Sequence, residues 1–303
     1  MSNYSASHFD SVNENTSWYK AFHLIEPGSI VLDIGCSSGN FGQALIGMRD
    51  CVVDGVEIAP DDIVVAKTKL RAVYSVDIER DNLDEITNRY DVIYFGDVIE
   101  HLITPSKTLE RVASLLKPNG KLVFSVPNMA YLAVRLDLLE GRFEYTKTGL
   151  LDNTHLHYYD RVEIERVISE AGYNLQTLDY VAKDYPRSII DETLSGMGLS
   201  ANESFYSRMS SPEAAAFQWI GMAQYTGKKS IVRRREFGPV DKFEILIHEV
   251  DAAHAVELRT RDEQIVELES INQRLRGRIT ELCEHPVRSV RRHVTALIKK
   301  KLS

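Results

Sequence analysis

Short apolar runs recur along the first 180 residues, and each ends in a polar or glycine-rich turn. Runs near 30–34, 52–57, 73–76, 91–95 and 121–126 predict strands. Stretches near 41–48, 61–69, 82–88 and 106–116 lie between them and predict helices. Strands that alternate with helices predict an α/β fold, a doubly wound parallel sheet covered on both faces. Ahead of the first strand, residues 1–15 are polar and read as loose. A short helix starts at Ser17, Trp18 and Tyr19 and stops at Pro27 and Gly28. Residues 159–172 read as an amphipathic helix with Asp160 as N-cap and Gly172 as stop, and a strand near 175–182 follows.

Beyond residue 184 the pattern changes. Residues 184–240 read as a helical insertion of two or three helices, one of them over 212–220. The insertion either covers a substrate or packs inertly. Residues 243–249 read as a last strand, closing a domain over 1–250. From 254 to 285 the apolar spacing becomes a heptad, with Leu258, Ile265, Asn272 and Ile279 at a and Arg261, Leu268, Leu275 and Leu282 at d. This predicts a C-terminal coiled-coil arm with one buried Asn, and through it a homo-oligomer, dimer or trimer. In the tail, 286–303, Val287, Val290, Val294, Leu297 and Ile298 share one helical face and basic residues take much of the rest. Such a tail suits an anionic membrane surface. A solvated basic tail is the plainer alternative.

The composition, 303 residues with 44% hydrophobic and 26% charged, suits one globular domain plus something smaller. The net charge is −8 although the tail is purely basic, so the body is the acidic part and nucleic acid is not an expected partner. Cys36, Cys51 and Cys283 are odd in number and unpatterned, which predicts reduced thiols and no cysteine metal cluster. No apolar stretch reaches membrane-spanning length, and the start lacks the basic and apolar regions of a signal peptide. The expected location is the cytoplasm, with the protein either free or attached peripherally to the inner face of the cytoplasmic membrane.

The first strand delivers the chain into Asp33, Ile34, Gly35, Cys36, Ser37, Ser38 and Gly39. Small residues there let backbone N–H groups approach a ligand closely. Glu57 ends the second strand, where a doubly wound sheet places the carboxylate that binds ribose hydroxyls. On these residues, with Asp77 and Ile78 after the third strand, Asp97 after the fourth and the turn at Pro118, Asn119 and Gly120 before the fifth, the chain resembles the class I S-adenosylmethionine (SAM)-dependent methyltransferases over roughly residues 15–180. The resemblance implies a Rossmann-like seven-stranded sheet with an antiparallel last strand and SAM as cofactor. It implies cofactor contacts from Asp33, Gly35, Ser37, Gly39, Glu57, Asp77, Ile78 and Asp97, with Asp77 reading the adenine amine. Ser37 stands where the family usually has glycine.

The chemistry is expected just past the fourth strand, at Asp97, Val98, Ile99, Glu100 and His101. An aliphatic hydroxyl is a poor nucleophile and needs a base or a metal. Glu100 and His101 resemble a pair found in ubiquinone-type O-methyltransferases. In spacing, Asp97, Glu100 and His101 also resemble the group with which small-RNA 2′-O-methyltransferases bind a divalent metal, and His155 or His157 would supply the last ligand. In the alternative, His101 contacts cofactor or substrate without a metal. Residues 149–155 resemble a subgroup of bacterial methyltransferases associated with glycan and cell-envelope pathways. Asp152 and His155, with His101, are therefore the candidates for acceptor binding or proton removal. The plainer reading of Asp152 and His155 is a hydrogen-bonded loop that caps the next helix. The expected function is O-methylation of a sugar hydroxyl on a glycan or glycolipid precursor. The alternatives are a small phenolic or quinone-precursor acceptor and, in another class, a coiled-coil scaffold on a degenerate fold. Intact Gly35, Gly39, Glu57 and Asp77 argue against the scaffold.

Overall fold

The computed structural model describes residues 9–230, 265, 266, 268–277 and 280. The chain divides into two units, Met1–Val232 and Arg233–Ser303. The first unit is built on a seven-stranded sheet. Helix α1 (Ser17–Leu24) leads to β1 (Ile30–Ile34), α2 (Asn40–Arg49), β2 (Val52–Val56), α3 (Pro60–Ala66) and β3 (Ala72–Tyr74). The chain then crosses to β4 (Tyr90–Gly96), α4 (Pro105–Val112) and β5 (Leu116–Pro127). Next come α5 (Leu132–Leu139), α6 (Arg161–Glu170), β6 (Tyr173–Ala182), α7 (Arg187–Gly196), α8 (Glu203–Met209), α9 (Pro212–Ala215) and β7 (Ala216–Tyr225).

The strand order is β3-β2-β1-β4-β5-β7-β6. The strands from β3 to β5 run parallel, and β7 is antiparallel to both its neighbours. Along β4 the pleat sends Ile93 and Phe95 into one core and Val92 and Tyr94 into the other, as a strand with both faces covered requires. Helices α4 and α6 fill the first core with Leu109, Val112, Ile164 and Ile168. Helices α1 and α2 fill the second with Ala21, Phe22, Phe41 and Leu45. A third, smaller core joins Leu132 and Leu136 of α5 to Ile190, Leu194 and Tyr206 of the insertion.

Local chemistry sets several boundaries. Thr16 caps α1 by accepting the Tyr19 N–H, and Asp160 caps α6 by accepting the Glu163 N–H. Gly172 stops α6 at a φ of +83°.

The structure revises two expected helices, draws the seventh strand from another stretch and adds a helix. Residues 82–88 form no helix: the Asn82 side chain accepts the Asp84 N–H in a polar turn, and Ile86 drops into the core with Leu83 packed against it. The helix expected over 212–220 is one turn, α9, after which the chain extends into β7. The antiparallel seventh strand is thus supplied by Ala216–Tyr225, and residues 243–249 lie outside the described residues. Helix α5 carries no counterpart in the sequence reading.

In the second unit, the described residues 265, 266, 268–277 and 280 are helical. Ile265, Leu268, Ile271 and Leu275 are each at least 40% exposed. The rest of the heptad and the basic tail lie outside the described residues. Among the described residues no helix is long and apolar enough to cross a membrane.

Candidate active site

The C-terminal ends of β1 and β4 adjoin where the crossover direction reverses, because β2 and β3 lie on one side and β5 on the other. Open α/β sheets bind ligands at such a switch point. A cavity of about 740 Å³ opens there. Asp33, Gly35 and Ser37 line it from β1 and its turn, and Glu57 and Ile58 from the end of β2. Tyr94, Gly96, Asp97 and His101 line it from β4 and beyond, and Gln218 from β7. Asp10, Thr16 and Trp18, before and at the start of α1, and Phe41 of α2 add to the wall.

The turn after β1 is shaped for close approach. Gly35 has a φ of +71°, and a Cβ there would meet Val98 Cγ2 at 2.5 Å. Ser37 also takes a left-handed φ, +47°, which costs strain in a residue with a Cβ. Glu57 fixes this turn against β2. Its Oε2 accepts the Ser37 N–H at 2.8 Å, and its Oε1 accepts the N–H groups of Ile58 and Ala59 at 2.8 and 2.9 Å.

Asp33 lies on β1 opposite Tyr94 of β4 in the parallel register. It is buried, and its pKa is pushed from 3.8 up to about 8, first by loss of water and then by the charge of Glu57. Asp97, just past β4, holds a φ of +55°. This turns its carboxylate toward Gln218 Nε2, which donates to both oxygens at 2.5 and 2.6 Å, and toward Ser125 Oγ at 3.0 Å. Burial raises the Asp97 pKa, and these two donors oppose the rise.

A second group stands beside the cavity. His101 ends the 3₁₀ turn Ile99–His101 and carries Nδ1 3.1 Å from the Thr154 carbonyl oxygen. A proton donated along that line leaves the lone pair on Nε2. The His155 ring stands edge-on to His101 with centroids 4.8 Å apart. His155 Nε2 lies 3.9 Å from Glu100 Oε1, and its Nδ1 lies 3.2 Å from the Leu150 carbonyl. Burial, aided by His101, holds the His155 pKa below the usual imidazole range. Glu100 is fully buried, its Oε2 meets no partner, and burial drives its pKa well up. The Glu100 carbonyl accepts the N–H groups of Leu156 and His157, which ties this strand end to the 149–158 loop.

Six of the residues expected at the site line the cavity: Asp33, Gly35, Ser37, Glu57, Asp97 and His101. Gly39, Asp77 and Ile78 do not. Gly39 starts α2 and fits against Ala66 of α3. Asp77 turns its carboxylate back to the Glu79 N–H and toward Arg80, and Ile78 is in the core. Asp152 is 1% exposed, does not line the cavity, and accepts the Thr154 N–H and hydroxyl at 2.7 and 2.6 Å within its own loop. Of the metal candidates, Glu100, His101 and His155 bring ligand atoms within 4.8 Å of one another. Asp97 and His157 stand apart from this group. Asp97 is taken up by Gln218, and His157 stacks on Tyr159 with Nε2 3.4 Å from the Ile103 carbonyl.

The three grouped residues fit a divalent cation in kind, as one buried carboxylate with an unpartnered oxygen and two imidazoles. Sequence reasoning missed Gln218, Trp18 and Tyr94. Gln218 carried a signal, because Phe217, Trp219 and Ile220 are strand formers closed by Gly227, but the alanines of 214–216 suggested helix.

The sheet, its switch-point cavity and the β1 turn tied to an acid on β2 define a nucleotide-type binding fold of the methyltransferase class. A family model described as a methyltransferase domain matches residues 13–178, and the chain belongs to this family, the class I SAM-dependent methyltransferases. Among curated proteins it is similar to the ubiquinone biosynthesis O-methyltransferase of Burkholderia pseudomallei (strain 1710b), at 28% identity over 173 residues, 55% of this chain and 73% of the relative. The enzyme of the same name from Coxiella burnetii (strain Dugway 5J108-111) is 29% identical over 153 residues, 45% of this chain and 64% of the relative. Among solved structures, a SAM-dependent methyltransferase from Mesorhizobium loti overlays with a TM-score of 0.48 at 14% identity, covering 69% of this chain and 98% of that one.

Proposed function

We propose that the protein is an O-methyltransferase in which the switch-point cavity holds SAM and His101 receives the proton of an acceptor hydroxyl. One observation carries this reading. Glu57, Ser37, Gly35, Asp33, Asp97 and His101, drawn from three strand ends, line one cavity. Glu57 is the acid for the ribose hydroxyls. Ile58, 66% exposed on the cavity wall, offers apolar surface to a purine. Asp33 and Asp97 offer carboxylates to the cationic methionine end. SAM supplies the electrophilic methyl group, and the protein positions the acceptor and takes its proton. His101 is the only one of the three grouped residues on the cavity wall, so it is the base and His155 orients it from behind.

Two acceptor classes are proposed on different grounds. The names of the curated relatives favour a phenolic or quinone precursor. A sugar hydroxyl on a glycan or glycolipid rests on the resemblance of residues 149–155 to a glycan-associated subgroup. A panel of both acceptor types with labelled SAM separates them. Failure to bind SAM or its demethylated product would reject the whole reading. Activity is expected to survive excess chelator, with His101 as base. Loss of turnover in chelator with SAM binding intact would instead place a cation on Glu100, His101 and His155.

We also propose self-association through the heptad helix. Ile265, Leu268 and Leu275 are exposed in the single chain and occupy a and d positions. Two parallel copies would set the basic tails side by side, and tethered pairs bind an anionic surface more tightly than one.

A further inference from the structure

The insertion encloses a second cavity, of about 260 Å³, between α5, α7, α8, α9 and the end of β6. Leu132, Ile190 and Met209 line it with apolar surface, and Lys183, Asp184 and Arg187 stand on its wall. It shares no lining residue with the switch-point cavity. Both lie along the same edge of the sheet, because α5 follows β5, Lys183 follows β6, and β7 starts opposite the end of β5.

A slip in the pairing of β6 with β7 links the two cavities. Val181 pairs with Gln218 but Ala182 pairs with Ala216, so Phe217 is an extra residue on β7. Such a bulge re-aims a side chain. The Phe217 ring takes the Lys183 ammonium over its face, 3.2 Å from the centroid, and meets the Tyr131 ring at a near right angle. The next residue, Gln218, is on the wall of the switch-point cavity and holds Asp97. Lys183 is two residues beyond the register partner of Gln218. At about 4.8 Å between strands and about 3.3 Å per residue, their α-carbons are roughly 8–10 Å apart, the length of one or two sugar or aromatic rings.

The charges around the second cavity leave one cation over. Arg187 lies over Tyr206 at 4.2 Å and reaches Glu203 at 3.3 and 3.4 Å, and the Tyr206 hydroxyl donates to Asp191. Asp184 bears on the Tyr131 phenol. The Lys183 ammonium makes no ion pair or hydrogen bond among the described residues. Packing around it removes water and holds its pKa below the usual lysine value, with no carboxylate opposing that. The ring face replaces only part of that water. An incoming oxyanion would replace the rest through charge-assisted hydrogen bonds, and the apolar lining would take the ring or chain that carries it. Arg187 can join from its exposed pair with Glu203 at little cost.

Resting on the reading that the protein methylates a hydroxyl, we infer that this cavity anchors an acidic group, a phosphate or a carboxylate, at the far end of the acceptor, with Lys183 as its counter-ion. Lys183 thus sets acceptor specificity without touching the reacting atoms.

The test uses the full chain. Wild type, Lys183→Gln and Lys183→Arg are titrated with phenyl phosphate, benzoate and the neutral benzyl alcohol, followed by ligand-observed NMR, which reads weak binding. Wild type should bind at least one of the anions about tenfold or more tighter than the alcohol, the size of a hydrogen bond to a charged group. Lys183→Gln should remove that preference and Lys183→Arg should keep it. The anion that binds tighter tells a phosphate-bearing acceptor from a carboxylate-bearing one. Saturating S-adenosylhomocysteine, the demethylated product of SAM, should leave the anions bound, and all three proteins should bind it equally. Equal binding of charged and neutral probes, no binding of any probe, a preference that survives Lys183→Gln, or displacement of the anions by S-adenosylhomocysteine would each overturn the inference while leaving the cofactor reading intact. A wild type that binds the anions but neither SAM nor S-adenosylhomocysteine would overturn the methyl-transfer reading, and with it the cavity's role toward an acceptor.

Discussion

Replacing Asp33 with Asn should remove a proton switch from cofactor binding. The Asp33 pKa stands at about 8 because the carboxyl is buried on β1 and faces the charge of Glu57, with the neutral phenol of Tyr94 alongside. At pH 7 the empty site therefore holds Asp33 protonated by about ten to one. Cationic SAM favours the ionised form, so binding should expel that proton. Affinity should then rise with pH and level off above 8, with binding at pH 6 about 50- to 100-fold weaker than at pH 9. The assay is titration calorimetry with the demethylated product, which keeps the ammonium and survives alkaline pH. Runs in buffers of different ionisation enthalpy count the protons released. Wild type should release nearly one proton at pH 7. The ligand's own amine titrates equally in both proteins, so the difference between wild type and Asp33→Asn isolates the carboxyl.

Stability supplies an independent arm. The folded pKa is raised, so Asp33 stabilises the fold fully below its unfolded value near 4, and that contribution fades as pH rises toward 8. At about 1.4 kcal/mol per unit, wild type should lose roughly 2–3 kcal/mol between pH 6 and 8 through this group. Asp33→Asn should not show that loss. Identical pH slopes in the two proteins, for binding and for melting, would refute the argument.

The remaining predictions follow from the same geometry. Gly35→Ala places a methyl against Val98 at a left-handed φ, so it should destabilise by about 1–3 kcal/mol and impair SAM binding, read by melting and calorimetry. Ser37→Gly relieves a left-handed residue and should leave SAM affinity intact with an equal or raised melting temperature. His101→Ala should cut turnover by about 10²–10⁴ with SAM affinity kept within a few-fold, and His155→Ala should likewise hurt turnover more than affinity, by steady-state kinetics against calorimetry. Leu268→Lys with Leu275→Lys should convert an associated protein to monomer by light scattering without changing activity on a small acceptor. An unchanged mass would move the interface elsewhere.

What the sequence made legible follows from how locally each feature is encoded. The strands β1, β2 and β4 are short runs whose both faces are buried, so their hydrophobicity marks them without tertiary knowledge. The β1 turn is legible because Gly35 must take a positive φ beside Val98, a need that only glycine meets cheaply. Capping by Asp160 and stopping at Gly172 are equally local. Residues 82–88 failed for the converse reason: their apolar members are few, and Asn82 and Asp84 prefer the turn. Strand β7 was missed because Pro212, Ala214 and Ala215 favour helix, while its strand state is imposed by pairing to β5 and β6 on either side. Phe124 fits over β7 only because residue 221 is glycine, a contact that no local window contains.

The site divides along the same line. Residues that line the cavity through the backbone turn, Gly35 and Ser37, announce themselves by type, as does Glu57, whose place is fixed by its distance from that turn. Residues whose role depends on a cross-strand neighbour do not. Gln218 matters because β7 lies against β5 and carries its amide to Asp97, some 120 positions earlier. Tyr94 matters because register sets it beside Asp33 and Gly96 makes space for it. The histidines show the limit from the other side. Three were candidates for a ligand or a base by type and spacing, and the fold gives each a different place. His101 is on the cavity wall, His155 is buried behind it, and His157 is stacked on Tyr159 away from both. Side-chain type proposes a chemistry, and only the packing of the 149–158 loop on the Glu100 carbonyl decides which side chain is placed to perform it.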